Sequence, residues 1–368
     1  MSPTTLITGG AGFIGCALGR ELVAKGDTVV AVDVLQPDVH PGSGRPKRLA
    51  PEVILHPMDV RSGSAWDALL KVVSPDRIVH LAAETSTGRS LVNASVHAST
   101  NVVGTTEMLD ALLRADAIPD HIVLSSSRAV YGEGEWESEE GPFYPDPRTH
   151  EDLEAGKWDP TDRLGHSATP IPSRADRTTP HPTNVYAATK LAQENILGAW
   201  TAATGADLSI LRLQNVYGPG QSLTNSYTGV VTLFARTAAG GGTLDVYEDG
   251  NIVRDFVFIA DIVQALVASL TRPPRGPRTI DIGSGSATTI LDVAQRLADR
   301  QGAPRPEITG RFRDGDVRAA STEIDMATTD LGYRPAWDLD KGLEALLDWI
   351  GEESNADPQV VSSGPPDS

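Results

Sequence analysis

The chain has 368 residues, 40% hydrophobic and 22% charged, which is enough to bury a large core without metals or disulfides. Its 31 Lys and Arg residues stand against 49 Asp and Glu residues, and the net charge of -18 disfavours nucleic acid as a partner. With one cysteine, Cys16, no secretory signal and no apolar run of about 20 residues, we expect a cytoplasmic protein without a membrane span.

Short β-branched runs alternate with helical patterns through the first half of the chain. Strands are predicted for TTLITGG, TVVAVDV, VILHPMDV, RIVHLAA and HIVLSSS, and a later one for LSILRLQNVYG. Helices are predicted over about residues 13–25, 65–73 and 101–115, and from Tyr186 onward. This alternation predicts the α/β class, with a doubly wound parallel sheet of the Rossmann type.

A glycine-rich turn joins the first predicted strand to the first helix. Gly9 permits a tight turn, Gly12 lets the backbone approach a pyrophosphate, and Gly15 lets helix and strand pack closely. Asp33 ends the second strand, where a carboxylate can accept hydrogen bonds from an adenosine ribose. The pattern therefore predicts a dinucleotide site.

The same carboxylate favours NAD over NADP. Asp33 would repel a ribose 2′-phosphate, and the next three residues supply no cation to hold one. Nearby basic residues nevertheless leave NADP open, namely Arg45, Lys47 and Arg48. Asp59 and Val60, at the end of the third strand, could border the adenine, although an Asp at that place is often a helix cap.

Tyr186 and Lys190 lie four residues apart, so on a helix they share one face. A nearby ammonium and a positively charged nicotinamide would lower the phenol pKa, so that the phenolate can accept a hydroxyl proton while hydride leaves the same carbon. Such a pair alone is usually a solvated helix face. Together with the glycine loop it predicts hydride-transfer chemistry.

Residues 133–182 interrupt the regular pattern with a stretch rich in Pro, Gly and charged residues. We interpret this stretch as an insertion, either a surface excursion or a substrate lid or dimer contact. Its possible apolar anchors are Trp136, Phe143, Tyr144 and Trp158. We predict an NAD-binding domain over residues 1–222, to which part of 251–285 returns. A smaller α/β substrate lobe over 223–351 and a disordered tail over 352–368 follow.

Several further motifs occur in a recognisable order: TGGAGFIG, HLAAETS, NVVGT, SSSRAVYG, YAATK, RLQNVYGPG, VRDFVFIADI and GDVR. Over about residues 4–351 the chain resembles the extended short-chain dehydrogenase/reductases of the nucleotide-sugar epimerase/dehydratase family. The resemblance implies NAD, a nucleotide-diphosphate sugar substrate and a homodimer. The dimer would use helices at about 101–114 and 186–200, although apolar residues such as Met108, Leu109 and Leu112 would equally suit the core.

The resemblance also implies roles for individual residues. Ser127, Tyr186 and Lys190 would be catalytic, Ser127 binding the sugar hydroxyl, and Asn101 would order Lys190 through water. The implied cofactor contacts are Gly9, Gly12, Phe13, Ile14, Gly15, Asp33, Asp59, Val60, Leu81, Ala82, Ala83, Asn101, Ser125, Tyr186 and Lys190. The implied substrate contacts are Thr85, Ser127, Asn215, Arg254 and Arg318. For the two arginines a surface ion pair is the alternative.

Arg128 and Ala129 limit which reaction of the family the chain is expected to catalyse. Family members that eliminate water carry an Asp-Glu pair at these two positions, and related decarboxylases usually keep a Glu at the second. The remaining chemistry is oxidation at C4, rotation of the keto sugar and reduction from the opposite face, which is 4-epimerization. In this the chain resembles the dTDP-L-rhamnose and UDP-glucose 4-epimerase groups. Because the insertion lacks cysteine, we predict no zinc or other metal site.

Two other functions stay open. A nucleotide-sugar 4-ketoreductase or dehydrogenase would use the same Ser, Tyr and Lys but would release its cofactor at each turnover. A noncatalytic NAD-sensing protein would keep the fold without the chemistry, which the intact Ser127, Tyr186 and Lys190 disfavour.

Overall fold

A computed structural model of the chain describes residues 2–356 except 38, 41–43 and 224–228. The described strands are β1 (Thr4–Thr8), β2 (Thr28–Asp33), β3 (Ile54–Pro57), β4 (Arg77–His80), β5 (His121–Ser127), β6 (Trp136–Ser138), β7 (Gly141–Phe143), β8 (Thr169–Pro170), β9 (Asp207–Leu213), β10 (Asn215–Tyr217), β11 (Asp245–Val246), β12 (Val253–Phe258), β13 (Pro277–Ile282), β14 (Ala287–Thr289), β15 (Glu307–Ile308) and β16 (Ala319–Ala320). The described α-helices are α1 (Phe13–Ala24), α2 (Gly63–Leu69), α3 (Thr87–Val92), α4 (Ala94–His97), α5 (Gly104–Arg114), α6 (His150–Glu154), α7 (Val185–Thr204), α8 (Val230–Ala239), α9 (Ile259–Thr271), α10 (Ile290–Gln301) and α11 (Leu339–Ala356).

Seven parallel strands form the central sheet, in the order β3-β2-β1-β4-β5-β9-β13. Helices α2, α5 and α7 cover one face, and α1 and α9 pack on the other. Leu6, Ile78 and Ile122 are fully buried, as expected of a parallel sheet covered on both faces. The predicted doubly wound α/β fold is confirmed.

The strand predicted from LSILRLQNVYG divides at Gln214. Its first part, β9, lies in the central sheet, whereas its second part, β10, pairs with β12 in a small second sheet that also contains β14 and β16. Strand β13 then returns to the edge of the central sheet beside β9. The carboxyl end of β9 is therefore the place where the chain passes between the two sheets.

The insertion contains regular structure that its sequence pattern did not indicate. Strands β7, β6 and β8 form an antiparallel sheet, and α6 follows β7. Trp136 and Leu153 are buried. These elements have only two to five residues each, too few for a periodic pattern to register.

A buried group of ion pairs fastens the insertion to the second lobe. Arg148 lies 3.2 Å from a Glu133 carboxylate oxygen and 2.9 Å from one of Glu248. Asp159 lies 2.7 Å from Arg318. These ion pairs therefore attach the insertion to the second lobe.

Two predicted boundaries are wrong. The helix predicted from Asn101 starts earlier, because α3, α4 and a π-helical segment (Ala98–Val103) precede α5. The tail predicted to be disordered from 352 is helical as far as Ala356, and residues 357–368 lie outside the described residues. Within the described ranges, no helix is long and apolar enough to cross a membrane.

Candidate active site

The glycine loop brings the backbone close to the carboxyl end of β4. Gly9 has a φ of 65°, and a Cβ there would lie 2.9 Å from the backbone nitrogen of Ala82. A Cβ on Gly15 would lie 2.5 Å from the carbonyl oxygen of Gly9. The two glycines therefore let the loop pack tightly against its neighbours at the N-terminus of α1, where backbone N–H groups suit the pyrophosphate of a dinucleotide.

Asp33 ends β2 beside this loop and is nine-tenths buried. One carboxylate oxygen accepts a hydrogen bond of 3.0 Å from the backbone of Ala11, and the other accepts one of 2.9 Å from Leu35. These bonds fix the carboxylate at the edge of the glycine loop. This position suits a contact with the adenosine ribose.

Two of the nearby basic residues already have partners. Arg45 donates a hydrogen bond of 2.9 Å to the carbonyl of Val53, and Arg48 forms an ion pair of 2.7 Å with Glu353. Lys47 is exposed. Their engagement elsewhere favours NAD over NADP at this site.

Replacing Asp33 with Asn should therefore narrow the preference for NAD over NADP by at least about tenfold, because it removes a charged hydrogen-bond acceptor and the repulsion of a 2′-phosphate. Calorimetry of both cofactors on wild type and Asp33→Asn measures the ratio, with Asp67→Asn as a distant control. An unchanged ratio would show that Asp33 does not face the ribose.

The remaining predicted cofactor residues surround the loop. Phe13 and Ile14 begin α1, Ser125 lies in β5, and Leu81, Ala82 and Ala83 follow β4. Asp59 is ion-paired with Arg61, and Val60 is buried. Ser62 caps α2, so the helix-cap alternative for Asp59 is wrong.

Ser127, Tyr186 and Lys190 meet at the carboxyl end of the central sheet. Ser127 is the last residue of β5, and Tyr186 and Lys190 lie one turn apart near the start of α7. Burial raises the pKa of Tyr186, while a hydrogen bond with the Ser127 side chain and the charge of Arg128 lower it. The pair of hydroxyl groups is therefore in place to share a proton with a substrate hydroxyl.

Lys190 is buried, and its ammonium donates a hydrogen bond of 2.6 Å to the side-chain oxygen of Gln193. The Gln193 amide in turn donates to Thr105 at 2.9 Å and lies 3.1 Å from a ring nitrogen of His80. The other ring nitrogen of His80 shares a hydrogen bond of 2.7 Å with Thr8, just before the glycine loop. This chain of polar groups holds Lys190 in one position.

Sequence reasoning missed Gln193 and His80. Gln193 lies three residues after Lys190, so the helical period alone places it on the same face. Burial lowers the pKa of His80 to about 3, so the ring is neutral and serves as a hydrogen-bonding link.

Burial lowers the pKa of Lys190 to about 7, against about 10.4 for an unfolded lysine. The folded chain then binds fewer protons than the unfolded chain between these values, so this residue makes stability rise with pH across that window. We expect Lys190→Met to gain about 3–4 kcal/mol of stability relative to the wild-type apoprotein between pH 10 and pH 7, because each pKa unit corresponds to about 1.4 kcal/mol. Urea unfolding at several pH values, with the exposed Lys157→Met as control, measures it. Parallel profiles for wild type and Lys190→Met would contradict the burial effect.

Asn101 is linked directly to α7, the helix that carries Tyr186 and Lys190. Its side-chain amide donates to Thr189 at 2.9 Å and to the carbonyl of Glu84 at 3.0 Å, and its oxygen accepts from the Glu84 backbone at 2.8 Å. These bonds tie α7 to the loop after β4. Asn101 thus positions the residue next to Lys190.

The predicted substrate residues differ in their surroundings. Asn215, at the start of β10, has a buried side-chain oxygen without a hydrogen-bond partner among the described residues. Arg254, in β12, donates to the carbonyls of Val253 and Val317 at 2.8 Å. Thr85 is exposed in the loop after β4.

Arg318 is enclosed by carboxylates. It lies 2.7 Å from Asp159, 2.9 Å from Glu248 and 2.7 Å from Asp249. Because these carboxylates occupy the Arg318 guanidinium, the ion-pair alternative is favoured over a contact with phosphate. The Arg318 side chain is buried, whereas that of Asp159 is 64% exposed, and this ion pair joins the insertion to the second lobe.

The family model described as the NAD dependent epimerase/dehydratase family matches residues 5–152 and 163–283. The chain belongs to this family. The family prediction is therefore confirmed, and NAD is its cofactor. The geometry agrees, since the glycine loop and Asp33 fit a dinucleotide.

Relatives of this epimerase/dehydratase family member include a dTDP-L-rhamnose 4-epimerase of Burkholderia thailandensis, 52% identical over 349 residues that cover 95% of each chain. Among solved structures, the UDP-glucose 4-epimerase of Thermotoga maritima with UDP-glucose has a TM-score of 0.77 at 25% identity, covering 95% of this chain and 99% of that one. MoeE5 in complex with UDP-glucuronic acid and NAD has a TM-score of 0.75 at 27% identity, with the same coverage of both chains.

Proposed function

We propose that the chain is an NAD-dependent nucleotide-sugar 4-epimerase that acts on dTDP-L-rhamnose. The observation that carries the proposal is the placement of Ser127 beside Tyr186, with the buried Lys190 one helical turn further along. Ser127 is followed directly by Arg128 and Ala129 instead of an acid and a base. The similarity to the Burkholderia thailandensis 4-epimerase supports the dTDP-linked sugar.

NAD, when bound at the glycine loop and Asp33, would accept the hydride and later donate it. Tyr186 accepts the proton of the C4 hydroxyl, and Ser127 orients that hydroxyl by a hydrogen bond. The ammonium of Lys190, held by Gln193, stabilises the phenolate that forms. After the keto sugar has rotated in the site, hydride would return to the opposite face of C4, and Tyr186 gives its proton back to the C4 oxygen.

The residues at positions 128 and 129 explain why elimination of water does not follow oxidation of the sugar. A dehydratase needs an acid and a base close to C5 and C6, but Arg128 is a cation and Ala129 has no titratable group. Reduction at C4 is therefore the reaction that remains for the keto sugar. The same residues disfavour decarboxylation.

The test is to incubate the purified protein with dTDP-L-rhamnose, without added cofactor, and to follow the sugar by proton NMR. We expect the C4 epimer to accumulate to an equilibrium ratio, and UDP-, GDP- and CDP-sugars to react more slowly. If product forms only when NAD is added, and in proportion to the NADH produced, the dehydrogenase alternative is favoured. dTDP-L-rhamnose that stays unchanged in both cases would contradict the proposal.

We also propose a homodimer in the cytoplasm. Leu91 and Val92 on α3 are 76% and 78% exposed, and Val96 and Val103 nearby are exposed as well, which supports a contact surface on these helices. Met108, Leu109 and Leu112 belong to the core and do not contribute to it. A single buried Cys16 without a disulfide partner suits a reducing compartment. Light scattering of Leu91→Arg beside wild type would test the dimer.

A further inference from the structure

Arg128 presents a cation to the active site without a protein partner. It directly follows Ser127 and begins a short 3-10 turn, Arg128–Tyr131. Burial lowers the pKa of its guanidinium, and the charges of Asp316, Tyr186 and Glu133 act on it. Among the described residues its side chain nevertheless forms no hydrogen bond and no ion pair. Its donors are available to a ligand.

Gln214 is a second polar side chain without partners. It is 5% exposed, yet neither its side-chain oxygen nor its nitrogen has a hydrogen-bond partner among the described residues. Its place is fixed, because its backbone donates to Ile282 at 2.9 Å and a Cβ on Gly283 would lie 2.9 Å from its Cγ. A buried carboxamide that the protein leaves unpaired calls for an external partner.

Arg128 and Gln214 line one cavity. Its other lining residues include Gly132 after the 3-10 turn, Ile171 of the insertion, and Ala320 and Ser321 at the end of β16. The cavity therefore lies where the carboxyl end of β5, the insertion and the second lobe meet. Ser127 and Tyr186 are not among the residues that line the cavity, but Arg128 directly follows Ser127, so one wall of the cavity begins one residue from that serine.

We propose that Arg128 and Gln214 form a subsite that hydrogen-bonds the free hydroxyl groups of the hexose beside its reacting carbon, and so selects the sugar. The guanidinium offers only donors, while the carboxamide offers a donor and an acceptor, which together suit neighbouring hydroxyl groups. This inference rests on the proposed function and names the sugar-selecting contacts of that site.

The test separates sugar binding from nucleotide binding. Calorimetry measures the Kd of dTDP and of dTDP-L-rhamnose for the NAD-loaded wild type, Arg128→Met, Gln214→Leu and the double variant. We expect each single variant to bind dTDP as wild type does but to bind dTDP-L-rhamnose at least about tenfold more weakly, the usual scale of a lost hydrogen bond to a charged or buried group. Arg177→Met is the matched control, since Arg177 lies in the insertion and is exposed.

Three results would overturn the subsite. Unchanged dTDP-L-rhamnose affinity in both single variants would show that the sugar does not touch these groups. Equal weakening of dTDP binding and of dTDP-L-rhamnose binding would assign the effect to the nucleotide site or to the fold. In that case Arg128→Lys and Gln214→Asn, which keep polarity, would show the same loss of affinity for both ligands. A loss of dTDP-L-rhamnose affinity in Arg177→Met equal to that in Arg128→Met would assign the effect to the removal of a positive charge and not to the subsite.

The outcomes for the subsite and for the proposed function differ. If wild type epimerizes dTDP-L-rhamnose while the variants bind it normally, the subsite fails and the 4-epimerase stands. If wild type binds this sugar nucleotide through Arg128 and Gln214 without epimerizing it, the subsite stands and the proposed function fails.

Discussion

Tyr186→Phe should leave the protein folded and able to bind NAD but should lower turnover at least about a hundredfold, the lower end of the usual general acid/base contribution. The phenol lies beside Ser127, so its hydroxyl is the group placed to take the C4 proton. Phe keeps the ring and its edge-to-face contact with His97, whose centroid lies 6.5 Å away. The loss is therefore chemical and not a loss of packing.

Turnover of dTDP-L-rhamnose at saturation and the Kd of NAD are the two quantities to measure for this variant. Tyr144→Phe is a suitable control, because its hydroxyl accepts a hydrogen bond from Thr179 in the insertion, away from the catalytic residues. Turnover of Tyr186→Phe within a few fold of wild type would remove Tyr186 from the mechanism.

Arg148→Met should destabilise the protein by about 3–5 kcal/mol, since removing one partner of a buried ion pair leaves an uncompensated charge. The Arg148, Glu133 and Glu248 side chains are 5%, 4% and 1% exposed. Arg148 also donates to the carbonyl of Asp316 at 2.7 Å. Its removal therefore breaks a link between the insertion and the second lobe. It also leaves the negative charges of Glu133 and Glu248 with less positive charge nearby.

Urea unfolding measures the stability of Arg148→Met, and limited proteolysis reports whether the insertion detaches first. The control is Arg114→Met, whose ion pair of 2.9 Å with Asp67 is about half exposed and should contribute at most about 1 kcal/mol. Equal stabilities for Arg148→Met and Arg114→Met would show that the buried group does not fasten the insertion.

The part of the site that could be predicted from sequence is the part encoded by local spacing. The spacing of Gly9, Gly12 and Gly15 marks the turn that leads into α1. Tyr186 and Lys190 share a face because the helical period places them there. Their positions in the structure follow from those short-range rules.

Other features depend on contacts between distant segments. Arg318 pairs with Asp159 and Asp249, which are far from it in sequence, so its motif could not reveal that its charge is occupied. Gln214 sits inside what reads as one continuous strand, and only the second sheet shows that the chain divides there. The insertion strands are too short to carry a period of their own.

The most direct test of the 4-epimerase is the fate of a deuterium placed on C4 of dTDP-L-rhamnose. Because Arg128 and Ala129 provide no acid and base for chemistry at other carbons, the label removed from C4 should return to C4, and the epimer should keep its deuterium. In deuterated water with unlabelled substrate, no deuterium should enter C3 or C5. Loss of the C4 label, or solvent deuterium at C5, would contradict the account.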